Sequence, residues 1–225
     1  MMRLATVFAL LLSALAPAQD APKSGDLKVR FLAERAPKDL GQVLMATPEA
    51  KSAPFDLPIN NLSEYQAAPA RLFSLKQATA AEKEGSLTNV TLPENGKSFI
   101  VLLVPAATGY KTVVIPADDP SFKPGDVYFY NHGDKPVLGY VGTATFVLQP
   151  GKGQTLTPKG AKPENYYDVG FGVREKEGDR ALSTTRWPVD NKIRSYVFFF
   201  MNPTTKRLDF RAVDEFVEPE KQPGT

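Results

Sequence analysis

Residues 195–216 read SYVFFFMNPTTKRLDFRAVDEF, and residues 98–119 read SFIVLLVPAATGYKTVVIPADD. Both follow one plan: a serine, six apolar residues, a polar turn, a second strand and an acidic pair. The plan is that of a β-hairpin. Residues 196–201 are apolar at every position, and successive strand side chains point to opposite sides. A strand of this kind is central and covered on both faces. Asn202-Pro203 opens the turn, because the residue before a proline is pushed out of the helical region. Leu208, Phe210 and Ala212 then alternate with Asp209, Arg211 and Val213, which gives the returning strand a wetter face. A helix fits poorly, since the run is short, aromatic and β-branched, and a proline ends it.

Two copies of one hairpin predict two copies of the unit that contains it. Val29, Phe31, Leu40, Gly41 and Val43 recur at an offset of 98 as Val127, Phe129, Leu138, Gly139 and Val141. Average residue usage would give roughly one match in such a window. Leu87 with Leu92-Pro93 aligns with Leu182 and Trp187-Pro188, and Ser98 aligns with Ser195, which sets Phe99 beside Tyr196. Offsets that drift by a few residues are expected where loops have changed length between fixed strands. Each unit carries about seven candidate strands at sandwich spacing. In the first unit they fall near 27–34, 40–46, 53–57, 69–76, 86–92, 98–104 and 109–115. In the second they fall near 126–131, 136–141, 144–149, 153–157, 166–174, 180–186 and 193–201, with an eighth near 207–213. Alanines and charges over residues 74–84 predict one short helix. Three prolines between 116 and 125 stiffen the connection between units.

The fold class expected is therefore all-β: two tandem antiparallel β-sandwich repeats, at 27–117 and 118–217. Residues 1–18 read as a signal peptide, 19–26 as a polar leader and 218–225 as a polar tail. Arg3 precedes an apolar run over residues 4–16, and Ala16-Pro17-Ala18 has the small-x-small form of a cleavage site. Such a run is too short to span a bilayer in the mature chain. Cleavage after Ala18 removes one arginine and leaves 26 basic and 25 acidic residues, a balance of +1. So even a balance argues against a nucleic-acid partner held by bulk charge. The 225-residue chain has no cysteine, which removes thiol nucleophiles, zinc–thiolate sites and disulfides. The expected location is exported, either periplasmic or extracellular.

At the level of fold, the units resemble tandem immunoglobulin-like or cupredoxin-like β-sandwich modules. FKPGDVYFYN at residues 122–131 is similar to the phrase that opens a strand in cupredoxins. Blue-copper members need a Cys, two His and usually a Met. With no Cys and one His, this chain inherits no copper ligand, and no immunoglobulin Cys–Trp–Cys core. The resemblance implies a scaffold, and a scaffold does not fix an activity.

Candidate chemistry is sparse. His132, the only histidine, lies in Asn-His-Gly-Asp and reads as a turn residue, because Gly133 and Asp134 are turn formers. No G-x-S-x-G elbow accompanies any serine. Asp118-Asp119 and Asp214-Glu215 close the two hairpins and read as solvated strand-end or calcium-tolerant residues, and no calcium-loop motif accompanies them. Adjacent strand residues face opposite ways, so neither pair suits two-carboxylate catalysis. Asp168 and Asp190 are the remaining carboxylate candidates. The asparagines of Asn61-Leu62-Ser63 and Asn89-Val90-Thr91 match a glycosylation pattern that carries weight only in a eukaryotic secretory pathway. Trp187 and Tyr196 read as core through their alignment with Leu92 and Phe99. Tyr166, Tyr167, Arg174 and Arg186 are the candidate ligand-binding residues, since paired tyrosines suit stacking on sugar rings or on a protein partner. No catalytic residue, metal site or cofactor is expected. The expected function is a non-enzymatic envelope protein with a binding or structural role and a protein or polysaccharide partner. The alternative is a carbohydrate-binding or polysaccharide-active protein with its site in the crease between units.

Overall fold

The computed structural model describes residues 26–79 and 85–217. The expected signal peptide, nearly all of the expected leader and the expected tail lie outside the described residues. Among the described residues all regular structure is strand. The first unit contains β1 (Lys28–Ala33), β2 (Val43–Ala46), β3 (Gln66–Ala67), β4 (Leu72–Gln77), β5 (Thr88–Thr91), β6 (Ser98–Pro105) and β7 (Tyr110–Pro116). The second contains β8 (Val127–Asn131), β9 (Val137–Val141), β10 (Ala144–Leu148), β11 (Gly153–Leu156), β12 (Tyr166–Glu175), β13 (Gly178–Pro188), β14 (Ile193–Met201) and β15 (Leu208–Phe216).

The repeat is visible in the strand order. One sheet of the first unit runs β3-β1-β6-β7, and its counterpart in the second runs β11-β8-β14-β15. The facing sheets run β2-β4-β5 and β10-β9-β12-β13, the second gaining β10 at its edge. In the first unit the equivalent segment makes only two isolated bridges to β2, Val43 with Phe55 and Ala46 with Lys51. Pro54 lies between these bridges, and a proline cannot donate to a ladder. The strand expected near 53–57 is therefore vestigial. The helix expected over 74–84 is absent where it can be seen: Ser74 to Gln77 belongs to β4, while residues 80–84 lie outside the described residues.

Among the described residues, pairing between strands is antiparallel except at one place in each unit, where β1 runs parallel to β6 and β8 parallel to β14. Each opening strand thus inserts beside the first arm of the closing hairpin. Val29 sits opposite Phe99, whereas Val127 sits opposite Ser195. The pairing therefore makes Tyr196 equivalent to Ile100, not to Phe99. A slip of one residue exchanges the faces of a strand, and the packing confirms the correction. Phe99, Val101 and Leu103 fill the core of the first sandwich, while Ile100, Leu102 and Val104 face the other unit. On β14, Tyr196 and Phe198 face the first unit, and Val197 and Phe199 fill the second core. The match of Leu40-Gly41 to Leu138-Gly139 also fails, because the first pair lies in a loop and the second lies within β9.

Three apolar layers result. The first core packs Phe31 on Phe55 and Phe73. The second gathers Phe129, Phe146, Phe171, Phe199 and Phe210 into one ring cluster. Between them the β6 and β14 sheets lie back to back, burying Leu32, Ile100, Leu102, Tyr130, Tyr196 and Phe198. The first arm of each closing hairpin is apolar on two faces because each sheet is an inner layer of a four-layer stack.

Candidate functional site

The seam between the units is held by charge as well as by apolar contact. Glu215, 3 % exposed, accepts from Arg194 Nε at 3.0 Å, from the Tyr196 hydroxyl at 2.7 Å and from Arg30 of the first unit at 3.2 Å. Arg194 also donates to the Ala117 carbonyl at 2.6 Å and lies over the Phe122 ring. Glu215 is thus not a solvated strand-end residue, because its strand turns it into the seam. Burial, reinforced by the Glu215 charge, pushes the Tyr196 phenol far up. Burial pushes the Tyr128 phenol up to about 12.

A second clamp uses the sole histidine. His132 Nδ1 lies 2.5 Å from Oε2 of Glu34, which is 4 % exposed, and Arg211 donates to the Glu34 and Ile59 carbonyls across the same seam. His132 thus does more than turn the chain: it ties the second unit to the first. Among the described residues no group of three or more potential metal ligands occurs. These contacts cross the seam between the units.

A cleft of about 160 Å³ opens instead at the linker end of the second sandwich, between its two sheets. Its walls include Tyr167, Trp187, Val127, Val141 and Ala212; Asp190, Asn191, Ser195, Asp214 and Pro158 also line it. Strand register builds it. Tyr167 and Trp187 are cross-strand partners on β12 and β13, and Ser195 and Asp214 are partners on β14 and β15. The Ser195 hydroxyl donates to Asp214 Oδ1 at 2.6 Å, and Asp190 Oδ1 accepts from the Lys192 amide at 2.8 Å. Gly142, at φ 63°, lets the backbone of Lys159 bridge to it at close range. A Cβ there would collide with the Lys159 carbonyl oxygen and crowd the Tyr167 ring.

The four candidate residues separate in space. Tyr167 lines the cleft. Tyr166 lies under the Arg186 guanidinium, 4.8 Å from its ring centre, and Arg186 Nε lies 3.7 Å from Asp168. Lys162 approaches Asp168 at 3.5 Å, so Asp168 belongs to a surface ion cluster. Arg174 stands at the far end of β12, roughly 25 Å along the strand by ordinary rise. It forms a two-pronged pair with Asp179 at 2.9 and 3.1 Å, and this bonding holds the Asp179 carboxyl below its usual range. Sequence reasoning missed Trp187, Asp190 and Asp214 as cleft residues. Trp187 does touch the core, edge-on to Phe171 at 5.8 Å, but it is only partly buried. Only the strand pairing of the folded chain sets Trp187 opposite Tyr167.

No family model matches the chain, and no curated protein sequence matches it.

Proposed function

We propose that the chain is an exported, non-enzymatic binding protein of the cell envelope, with the end cleft of the second sandwich as its recognition site. The observation that carries this reading is the Tyr167–Trp187 wall in a cleft of about 160 Å³. Ligand sites combine an apolar wall with a few fixed polar groups, as this one does. The apolar N-terminal run and the Ala16-Pro17-Ala18 triplet support export. The charge-clamped seam supports a body that holds the cleft at a set angle to the first unit. Fractionation of cells expressing the full chain tests export: loss of residues 1–18 and recovery outside the cytoplasm is the expected result, and an intact chain in the cytosol defeats it.

The second reading is a carbohydrate-binding or polysaccharide-active protein. The aromatic wall and the outward-facing Tyr166 favour it, because such rings stack on sugars. Retention on insoluble polysaccharides that vanishes in Tyr166→Ala or Tyr167→Ala would support it. Turnover of a glycoside panel that is abolished by Asp168→Ala or Asp190→Ala would replace the non-enzymatic reading.

A further inference from the structure

We propose that the cleft takes an organic cation, an alkylammonium or guanidinium group, seated against Tyr167 and Trp187 with its charge toward Asp190 and Asp214. The inference rests on the reading of the cleft as a recognition site and names its ligand class. A cavity of about 150 Å³ in a protein core holds one benzene, so about 160 Å³ admits a head group and a short stem. The two ring types at the wall are those that attract cations best, tryptophan above all.

The charge pattern points the same way. Asp168, Glu175, Asp179 and Glu215 of the second unit each face a basic side chain within 4 Å. Asp190 and Asp214 are exposed and, like Asp126, Asp134, Glu164, Glu177 and Asp209, form no ion pair among the described residues. What sets these two apart is that they line a cleft that no lysine or arginine lines. An anionic ligand would meet two like charges, and a neutral one would draw no charge attraction from either. A cation is attracted by the acids and the rings together.

Trp187 is the only tryptophan in the chain, so its fluorescence reports on the cleft directly. The full exported chain is titrated with n-butylammonium and n-butylguanidinium. Neutral n-butanol and methyl glucoside are the controls. A saturable millimolar response to the cations is expected, with n-butanol about tenfold weaker, because exposed ion pairs and cation–π contacts are individually modest. Asp190→Asn with Asp214→Asn should weaken the cations about tenfold and leave n-butanol unchanged. If that double variant unfolds, Tyr167→Leu serves in its place with the same selective loss expected. A peptide Gly-Lys-Gly blocked at both ends distinguishes the sources. Tighter binding than n-butylammonium indicates a partner's side chain, and weaker binding a free amine. Equal responses to n-butanol and the cations, or a variant with unchanged cation affinity, overturn the proposal. A response to methyl glucoside alone overturns the ligand class and keeps the recognition site. Silence toward every probe overturns both.

Discussion

The same hairpin ends in an acidic pair in each unit, and the two pairs have different fates. Asp118 accepts from the Lys97 and Ser98 amides at 2.6 and 3.3 Å, and Asp119 caps the next turn through Ser121. Both stay in solvent-facing turns. In the second copy, Asp214 lines the end cleft and Glu215 is sealed into the seam with two arginines and a tyrosine. Strand geometry explains the split. The residues at 214 and 215 lie within β15 and so face opposite ways, whereas those at 118 and 119 lie beyond the end of β7. Pairing sets Asp214 and Glu215 at the places of Pro116 and Ala117, two positions nearer the strand than Asp118 and Asp119, so one becomes a cleft residue and the other an interfacial anchor.

The sharpest break in this comparison is Glu215→Ala. It leaves Arg194, itself 6 % exposed, as an uncompensated buried charge. Loss of one partner of a buried pair costs about 3–5 kcal/mol, while Asp118→Ala should cost only about 1 kcal/mol for surface backbone hydrogen bonds. Urea midpoints of the two variants measure the difference, and equal midpoints would erase it. Replacing Glu215 and Arg194 together by Leu and Met should recover most of the loss, since a well-packed apolar pair can match a buried ion pair.

The two faces of β14 come next. Phe199→Ala and Phe198→Ala should each cost about 3–5 kcal/mol, because one empties the second core and the other the seam. A Phe198→Ala variant with an unchanged midpoint would show that the units do not pack in solution.

A smaller effect appears in alkali. An ordinary phenol ionises near 10, and Tyr128 is held at about 12 by burial in the seam. The folded state keeps a proton that the unfolded chain releases. This stability contribution is whole below pH 10 and drains away as pH rises from 10 to about 12. Tyr128→Phe should lessen, without abolishing, the fall in melting temperature across that window, because burial also raises the phenols of Tyr110, Tyr130 and Tyr196. A parallel fall in both proteins would assign the loss elsewhere.

The smallest effect lies at the first copy's acidic pair. The Ser121 hydroxyl and amide donate to Asp119 and hold its carboxyl below the usual range. Its contribution is present above the ordinary carboxylate value and is lost as pH falls through the lowered one. Carbon-detected NMR of Ser121→Ala should show the Asp119 midpoint move upward; an unmoved midpoint would deny the bond in solution.

Much of the layering was legible in single runs of residues. Two-faced apolar strands at 98–104 and 196–201 imply inner sheets, and the observed stack supplies a cover for each face. Alternation also located nearly every strand, with the two-residue β3 missed and the Pro54-interrupted segment overcounted. What could not be read was register. An alignment by residue likeness put Phe99 beside Tyr196, and one position of error exchanged core for seam. The site suffered from the same limit. Tyr167 was found because it is aromatic, but its partner Trp187 and the Ser195–Asp214 pair lie far apart in sequence and meet only through strand pairing. Arg174 was misplaced because residues close in sequence along a strand can be far apart in space.

The parallel contact of β1 with β6 also constrains how the molecule forms. Lys28 meets Ser98 only after a loop of roughly seventy residues has closed, which is entropically slow. An N-terminal fragment that stops before the closing hairpin therefore leaves its first strand only the two-residue β3 to pair with and should stay open. The β8–β14 contact repeats the condition in the second half. A chain built this way delays compaction until each half is nearly complete, and the charged anchors between the halves can assemble only at the end.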